Sequence, residues 1–157
     1  MIGNDVVDLA LADQESNLQR KGFLEKLFTV EEQLRIAKAE NKQVLIWTMW
    51  SQKEAVYKLL RQKGASRGFY PIKIECLTYE KVKYQKEEFY TKTTIDGNCL
   101  HTLAVTQEAD FEFCKSLSKN QSLIYENEIP FYVENGNRLN VTKSHHGQFE
   151  RIYYLKK

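Results

Sequence analysis

The chain has 157 residues and a mass of 18.5 kDa, which suits one domain with a core and is too short for two domains of ordinary size. With 42% hydrophobic and 28% charged residues, 7 glycines and 2 prolines, it is not collagen-like, low-complexity or wholly disordered. Its 23 Lys and Arg against 21 Asp and Glu give a net charge of +2, too balanced to indicate a nucleic-acid or membrane partner. We therefore expect a single domain over residues 1–157.

The cysteines and the N-terminus indicate the compartment. Cys76, Cys99 and Cys114 are odd in number and form no C-x-x-C pair, as expected for reduced thiols. Asp5 and Asp8 interrupt any apolar signal sequence, and no apolar run approaches the ~18 residues that a membrane span needs. The sequence predicts a soluble, cytoplasmic protein.

Helical periodicity dominates the first part of the chain, after a short strand pattern over residues 2–9. Thr29 and Glu32 have the spacing of a capping box, in which two side chains satisfy free backbone N–H groups, so a helix should begin there. The strongest helical pattern is closed by Gly64. The predicted helices cover residues 13–26, 29–41 and 43–62.

Strand patterns rich in β-branched and aromatic residues dominate the rest of the chain. Asp96-Gly97 and residues 134–137 are typical of hairpin turns, which predicts antiparallel pairing. The fold class is therefore predicted to be α+β, with the long helix packed on an antiparallel sheet. The predicted strands cover 71–77, 89–95, 100–106, 131–133, 138–142 and 149–155, and residues 107–128 are left unassigned.

The helix over 43–62 has one ordinary face and one face of unusual composition. One face carries an ordinary core stripe, formed by Leu45, Met49, Val56, Leu59 and Leu60. The opposite face carries aromatic side chains among charged ones, namely Trp47, Trp50 and Tyr57 around Glu54, Lys58 and Arg61. Aromatic rings are costly to leave in water, so this face is expected to meet a ligand, another layer of the protein or a partner subunit.

Glu54 and Lys58 are four residues apart, so both side chains can reach one shared group. The same spacing and order are typical of a helix-stabilising surface ion pair. The spacing alone leaves both interpretations open.

The C-terminal segment carries a second signal at Ser144-His145-His146-Gly147. Adjacent histidines on a strand point to opposite faces and are poor ligands for one metal, whereas a turn would free Ser144 and His145 to donate to an anion. A polar hairpin loop is the alternative. From Arg138 onward the net charge is +4, which suits a phosphate ligand.

The N-terminal strand carries the third signal. Asp5 and Asp8 are three positions apart and point to opposite faces of a strand, so only one is expected to bind an ion. Asp8 has an alternative use as the N-cap of the following helix.

Five motifs occur along the chain in a fixed order: G-N-D-V-V-D-L at 3–9, F-T-V-E-E at 28–32, W-S-Q-K-E-A-V-Y-K at 50–58, I-P-F-Y at 129–132 and S-H-H-G at 144–147. With them the sequence resembles the 4′-phosphopantetheinyl transferase superfamily, and their order looks like the holo-acyl-carrier-protein synthase type. The resemblance implies an enzyme that transfers the 4′-phosphopantetheine arm of coenzyme A to a serine of an apo acyl carrier protein. It also implies Mg²⁺ and release of adenosine 3′,5′-bisphosphate.

The resemblance further implies roles for individual residues. Asp5 and Glu54 are expected to bind the metal, and Glu54 or a water that it orients to take the serine proton. Lys58 is expected to hold the diphosphate, and further coenzyme A phosphate contacts are expected from Lys53, Ser144 and His145. A homotrimer with sites near subunit interfaces is expected as well. The alternatives are a non-catalytic module that binds coenzyme A or a carrier protein, and a purely structural oligomer.

The chain also departs from the family pattern. Val7 stands where the longer, surfactin-type members have a further acid, and Glu150-Arg151 stand where small residues are usual. Residues 107–128 have no clear counterpart. Arg20, Lys21 and Lys26 form a candidate docking patch for an acidic carrier protein, or alternatively a solvated helix end.

Overall fold

The computed structural model describes all residues from 1 to 157 and contains two antiparallel five-stranded sheets and four helices. The strand order is β1-β5-β4-β3-β2 in the first sheet and β6-β10-β9-β8-β7 in the second. This mixed architecture confirms the predicted α+β class. The helices are α1 (Leu9–Glu15), α2 (Phe23–Leu27), α3 (Val30–Lys38) and α4 (Lys42–Gln62). The strands are β1 (Ile2–Asp8), β2 (Ile74–Cys76), β3 (Lys81–Tyr84), β4 (Glu87–Asp96), β5 (Cys99–Val105), β6 (Cys114–Ser116), β7 (Ile124–Glu126), β8 (Ile129–Glu134), β9 (Asn137–His146) and β10 (Phe149–Leu155).

The main core lies between α4 and the first sheet. All five residues of the predicted core stripe are buried there with Ile74, Val82 and Phe89 from the sheet. Helix α4 also lies very close to β1, because a Cβ atom on Gly3 would come within 1.8 Å of the Ala55 carbonyl oxygen. Only glycine permits this approach, which explains the first residue of the G-N-D motif.

Strand β1 lies at the edge of the first sheet, and side chains from outside that sheet cover its free edge. Four alternate backbone N–H groups of β1 donate to side-chain acceptors: Ile2 to Gln62 Oε1 (3.1 Å), Asn4 to Thr142 Oγ1 (2.9 Å), Val6 to Ser144 Oγ (3.0 Å) and Asp8 to His146 Nδ1 (2.9 Å). Three of these acceptors belong to β9. The second sheet is therefore attached to the first through side chains, which meet the hydrogen-bonding needs of a buried edge.

A buried ion pair connects α3, α4 and the start of β2. Lys53 and Glu32 are both 0% exposed, with Lys53 Nζ 2.8 Å from Glu32 Oε2. The remaining donors of Lys53 reach the carbonyls of Pro71 and Ile74, both at 2.7 Å, while Glu32 Oε1 accepts from Cys76 N at 2.6 Å. The pair is fully hydrogen-bonded, as buried charges must be.

The helix predictions are confirmed for two segments and wrong for one. Thr29 and Glu32 form the predicted capping box, and α4 matches the predicted 43–62 within one residue. The predicted helix over 13–26 does not exist, because α1 ends at Glu15 and α2 starts only at Phe23. Between them the Asn17 side chain accepts from Gln19 N, a local turn that competes with the helix.

The predicted strands lie at the observed positions, but several of them differ from the observed strands in length. Residues 71–73 form a short 3-10 turn, so only 74–76 of the predicted strand 71–77 is extended. Strand β3 was not predicted, since its two lysines obscure the alternation around the buried Val82. The unassigned segment 107–128 contains a 3-10 helix at Glu108–Phe113 and the short strands β6 and β7.

All three cysteines are unpaired, and Cys76 and Cys99 are buried. None of the helices combines the length and the apolar character that crossing a membrane would need.

Removing one partner of the Lys53–Glu32 pair should strongly destabilise the protein. We expect Lys53→Met to lower the free energy of unfolding by about 3–5 kcal/mol, because Glu32 is left as a buried, unpaired charge. The double variant Lys53→Met/Glu32→Gln should recover part of this loss, since it buries no net charge. Urea denaturation of the three proteins measures both effects. A loss below about 1 kcal/mol for Lys53→Met would show that water reaches the pair.

His101 should make the stability fall in mild acid. Burial, followed by the charges of Arg151 and Lys58, lowers the pKa of His101 from 6.5 to about 4. Between these two pH values the unfolded state binds more protons than the native state, so stability decreases as the pH falls. From pH 7.5 to pH 5 we expect this residue to account for a loss of about 2 kcal/mol. Denaturation curves of wild type and His101→Gln measure it, and parallel pH profiles would contradict it.

Candidate functional site

A cavity of about 490 Å³ opens where β1, the first two helices, α4 and the end of β9 meet. Five of the six site residues predicted from the sequence line it: Asp5, Glu54, Lys58, Ser144 and His145. They come from three elements that are distant in sequence. The fold therefore brings together the three signals found along the chain, with the exception of Lys53.

Asp5 lies at the buried side of this cavity and is 7% exposed. Its Oδ1 atom accepts from Ser144 Oγ at 3.2 Å and lies 3.5 Å from Lys58 Nζ, whereas Oδ2 is buried without a hydrogen-bond partner. Burial raises the pKa of Asp5, and the nearby Lys58 ammonium opposes this increase. A further positive charge near Asp5 would favour its ionised form.

Glu54 lies one helical turn from Lys58 and shares the cavity with Asp5. Burial is the main reason why the pKa of Glu54 is raised to about 7, and the charge of Asp5 adds to the increase while Lys58 opposes it. The charge of Asp5 thus disfavours the ionisation of Glu54. A cation between them would stabilise both charges.

The carboxylate pair fits a divalent cation that prefers oxygen ligands. The buried and unpartnered Oδ2 atom of Asp5 is a free acceptor, and Glu54 supplies a second carboxylate on the same cavity wall. No three or more His, Cys, Asp or Glu side chains are arranged so that together they could hold a metal ion. Two protein carboxylates suit a cation such as Mg²⁺, which usually keeps several waters and substrate oxygens as its other ligands.

Lys58 brings positive charge to the same wall. Its Nζ donates to the Asn4 carbonyl at 2.9 Å, so the ammonium is held beside Asp5 while 29% of the side chain remains exposed. This geometry supports the functional interpretation of the Glu54 and Lys58 spacing, because Lys58 pairs with Asp5 across two elements and not with Glu54 along the helix.

Comparison with known proteins shows the family of the chain. The family model described as "4'-phosphopantetheinyl transferase superfamily" matches residues 1–109 of the chain. The protein belongs to this superfamily. None of the curated proteins matches its sequence.

Solved structures of holo-acyl-carrier-protein synthases share the fold. The synthase from Neisseria meningitidis superposes with a TM-score of 0.55 at 16% identity, over 68% of this chain and 97% of the synthase. The apo synthase from Chronobacterium ammoiniagenes gives 0.52 at 18% identity, over 66% and 93%. At these identities the match establishes the fold. About a third of this chain lies outside each match.

The structure places Lys53 in the interior and not on the cavity wall. Lys53 was expected to contact a phosphate, but it is 0% exposed and its three donors are all occupied. Its partner Glu32 belongs to the F-T-V-E-E motif, and Phe28 of the same motif lies 5.4 Å below the ammonium. Lys53 therefore connects two family motifs in the interior.

Ser144 has different contacts from those expected. Its hydroxyl accepts from Val6 N and donates to Asp5 Oδ1, so the single hydroxyl hydrogen is already used inside the protein. His145, which follows it, is exposed and lines the cavity. Both residues lie at the end of β9 and not in the turn, which begins at Gly147. A Cβ on Gly147 would come within 2.3 Å of Asp8 Oδ2, which explains the glycine of the S-H-H-G motif.

Asp8 takes the alternative role that the sequence offered. Its carboxylate accepts from Leu11 N at the start of α1 and from Gln148 N in the last turn. It thus caps the helix and ties the S-H-H-G turn to it, while Asp5 faces the cavity.

The aromatic face of α4 contacts both the cavity and another layer of the protein. Trp47 and Trp50 line the cavity, whereas Phe69 packs at 5.2 Å from Trp50 and at 5.7 Å from Tyr57, measured between ring centroids. Arg61 does not reach the cavity and lines a neighbouring groove instead.

Sequence reasoning missed two residues of the cavity wall. His146 accepts from Asp8 N and its other ring nitrogen lies 3.3 Å from Glu15 Oε2, and Lys143 of the same strand also lines the cavity. The histidine pair itself was a signal for His146. Lys143 had no signal beyond its positive charge.

Ser144 should position Asp5, and its removal should cost stability. Ser144→Ala leaves Val6 N without its acceptor and removes a donor from Asp5, which we expect to lower the free energy of unfolding by about 1–3 kcal/mol. Ser144→Thr keeps the hydroxyl and should retain most of the stability. As a matched control, the exposed strand residue Ser116 can be changed to alanine with a change within about 0.5 kcal/mol. Equal stability of Ser144→Ala and Ser116→Ala would contradict the role.

Proposed function

We propose that this protein transfers the 4′-phosphopantetheine arm of coenzyme A to a serine hydroxyl of an apo acyl carrier protein and releases adenosine 3′,5′-bisphosphate. One observation supports this activity above the others. Asp5, Glu54 and Lys58, which match the superfamily motifs residue by residue, meet in one cavity with His145. A module that only bound a ligand would have no need for a buried carboxylate pair beside a lysine.

In the proposed reaction the serine oxygen forms a bond to the phosphorus that carries pantetheine. The bond from that phosphorus to the oxygen bridging the diphosphate breaks, and the bridging oxygen leaves on adenosine 3′,5′-bisphosphate. Glu54, or a water that it orients, accepts the serine proton, because an un-ionised hydroxyl is a weak nucleophile. Trp47 and Trp50 limit the access of water to this wall and so strengthen the electrostatic interactions there.

Asp5 and Glu54 are the residues that would hold Mg²⁺. When bound, a divalent cation neutralises charge on phosphate oxygens during transfer. Ser144 orients Asp5 for this role through its hydrogen bond to Oδ1.

Lys58 and His145 are proposed to contact coenzyme A. Negative charge develops on the leaving phosphate, and the Lys58 ammonium can neutralise part of it. His145 is exposed on the cavity wall, where a ring nitrogen that carries a hydrogen can donate to a phosphate oxygen.

The carrier protein is proposed to dock beside the cavity entrance. Arg20 and Lys21 are exposed in the loop between α1 and α2, and they border a surface depression that shares Ser16 with the cavity. An acidic partner would be steered towards this basic loop by complementary charge. Lys26, the third residue of the predicted patch, lies on α2.

The proposed site is built within a single chain. The sequence suggested a homotrimer with sites near the subunit interfaces, whereas Asp5, Glu54, Lys58 and His145 here converge without a second copy. We therefore propose that any homo-oligomer forms without sharing these four residues between subunits.

Intact-mass spectrometry of an apo acyl carrier protein tests the activity. After incubation with the enzyme, coenzyme A and Mg²⁺, we expect a mass gain of one phosphopantetheine arm. The gain should disappear with chelator and should fall by at least about 100-fold in rate for Asp5→Asn and Glu54→Gln, because each removes a charge from the carboxylate pair.

The control is Glu40→Gln, which removes an exposed carboxylate outside the cavity and should transfer at the wild-type rate. No mass gain on several unrelated carrier proteins, under conditions where coenzyme A still binds, would contradict transfer and favour a binding module.

A further inference from the structure

Lys143 has a position that no motif predicted. It lines the main cavity and also a second groove of about 230 Å³ on the side of the C-terminal part of α4. Lys58 is the only other residue that lines both. The groove adds Arg61 and Arg67, of which Arg67 is ion-paired at 3.1 Å with Glu128 of the same groove. The two lysines therefore mark the junction between the carboxylate pair and a surface rich in positive charge.

Lys143 is held at this junction by an acidic residue on the neighbouring strand. Its Nζ lies 3.3 Å from Glu150 Oε2, and the two side chains are 37% and 19% exposed. Glu150 is one of the two residues that depart from the small side chains usual in this superfamily. The departure thus provides a counterion for a lysine at the entrance of the cavity.

Three lysines near the cavity differ in how much of their charge is available to a phosphate ligand. Lys53 is sealed in the interior with three acceptors, so it cannot contribute. Lys58 already donates to the Asn4 carbonyl and lies beside Asp5, so only part of its donor capacity remains. Lys143 has Glu150 as its sole charged partner and stays partly exposed. A diphosphate ester with a further phosphate monoester needs more than one cation.

We propose that Lys143 binds a phosphate oxygen of coenzyme A at this junction, and that Glu150 is the counterion that Lys143 exchanges for the ligand. This inference rests on the proposed function, since it assigns a contact for the same substrate. A surface ion pair is worth little in water, so the exchange for a multiply charged phosphate is favourable. In the absence of ligand, Glu150 reduces the electrostatic repulsion between Lys143 and the other basic side chains around the cavity.

The test is calorimetric titration of coenzyme A into the full-length protein with Mg²⁺. We expect Lys143→Gln to weaken binding by about tenfold and Lys143→Arg to stay within about threefold of wild type. Glu150→Gln should tighten binding by about two- to fivefold, because the lysine no longer has a competing partner. The double variant should bind like Lys143→Gln.

Lys81 provides a matched control. It forms a comparable exposed ion pair with Glu88 at 3.6 Å, away from the cavity, and Lys81→Gln should bind coenzyme A like wild type. A parallel titration with 3′-dephospho-coenzyme A identifies the phosphate concerned. The effect of Lys143→Gln disappears with this ligand if the lysine contacts the 3′-phosphate, and it persists if the lysine contacts the diphosphate.

The outcomes separate this inference from the proposed function. Tight binding by wild type together with unchanged binding by Lys143→Gln would overturn the role of Lys143 and leave transfer intact. Weaker binding by Glu150→Gln would also overturn it, since it would mean that the ion pair has a structural role only. No binding of coenzyme A by wild type would overturn both proposals.

Discussion

Strand β1 is hydrogen-bonded to β5 on one side, and on its other side four amide groups need hydrogen-bond partners because the strand is buried in the protein. An unpaired buried N–H costs about as much as a lost hydrogen bond. The protein meets this requirement with side chains of Gln62, Thr142, Ser144 and His146 instead of another paired strand. Because each of these side chains has a specific partner on β1, the end of β9 can take only one register relative to β1. The position of the candidate site follows from this register.

The buried ion pair of Lys53 fixes the other wall. Adjacent residues on a helix point about 100° apart, so holding Lys53 in the interior directs Glu54 into the cavity. The close approach of Gly3 to α4 sets the distance between the helix and β1. Two burial requirements, one on each side of the helix, therefore place Glu54 in the same cavity as Asp5, whose charge adds to the increase in the pKa of Glu54. The surrounding fold thus holds two carboxylates in one cavity despite their electrostatic repulsion.

Sequence patterns correctly predicted those features of the structure that depend on residues close together in the chain. The capping box at Thr29 and the core stripe of α4 were correct because both depend on residues three or four positions apart. The helix predicted over 13–26 was wrong because the short-range turn at Asn17 outweighed helical propensity. The burial of Lys53 could not be deduced from a helical wheel, which shows the direction of a side chain but not what lies there. Contacts between β1 and β9 span about 138 residues of sequence and leave no local trace.

The region that matches the superfamily contains only part of the candidate site. Residues 1–109 match the superfamily and contain Asp5, Glu54 and Lys58, whereas Ser144 and His145 lie beyond that region. The matched region alone would leave three amides of β1 exposed at an open edge and Asp5 without its serine partner. Since β9 supplies both the acceptors and the far wall of the cavity, the second sheet is a structural requirement of the site. The carboxylates that would hold a cation and the side chains that would face phosphates thus depend on the same set of hydrogen bonds.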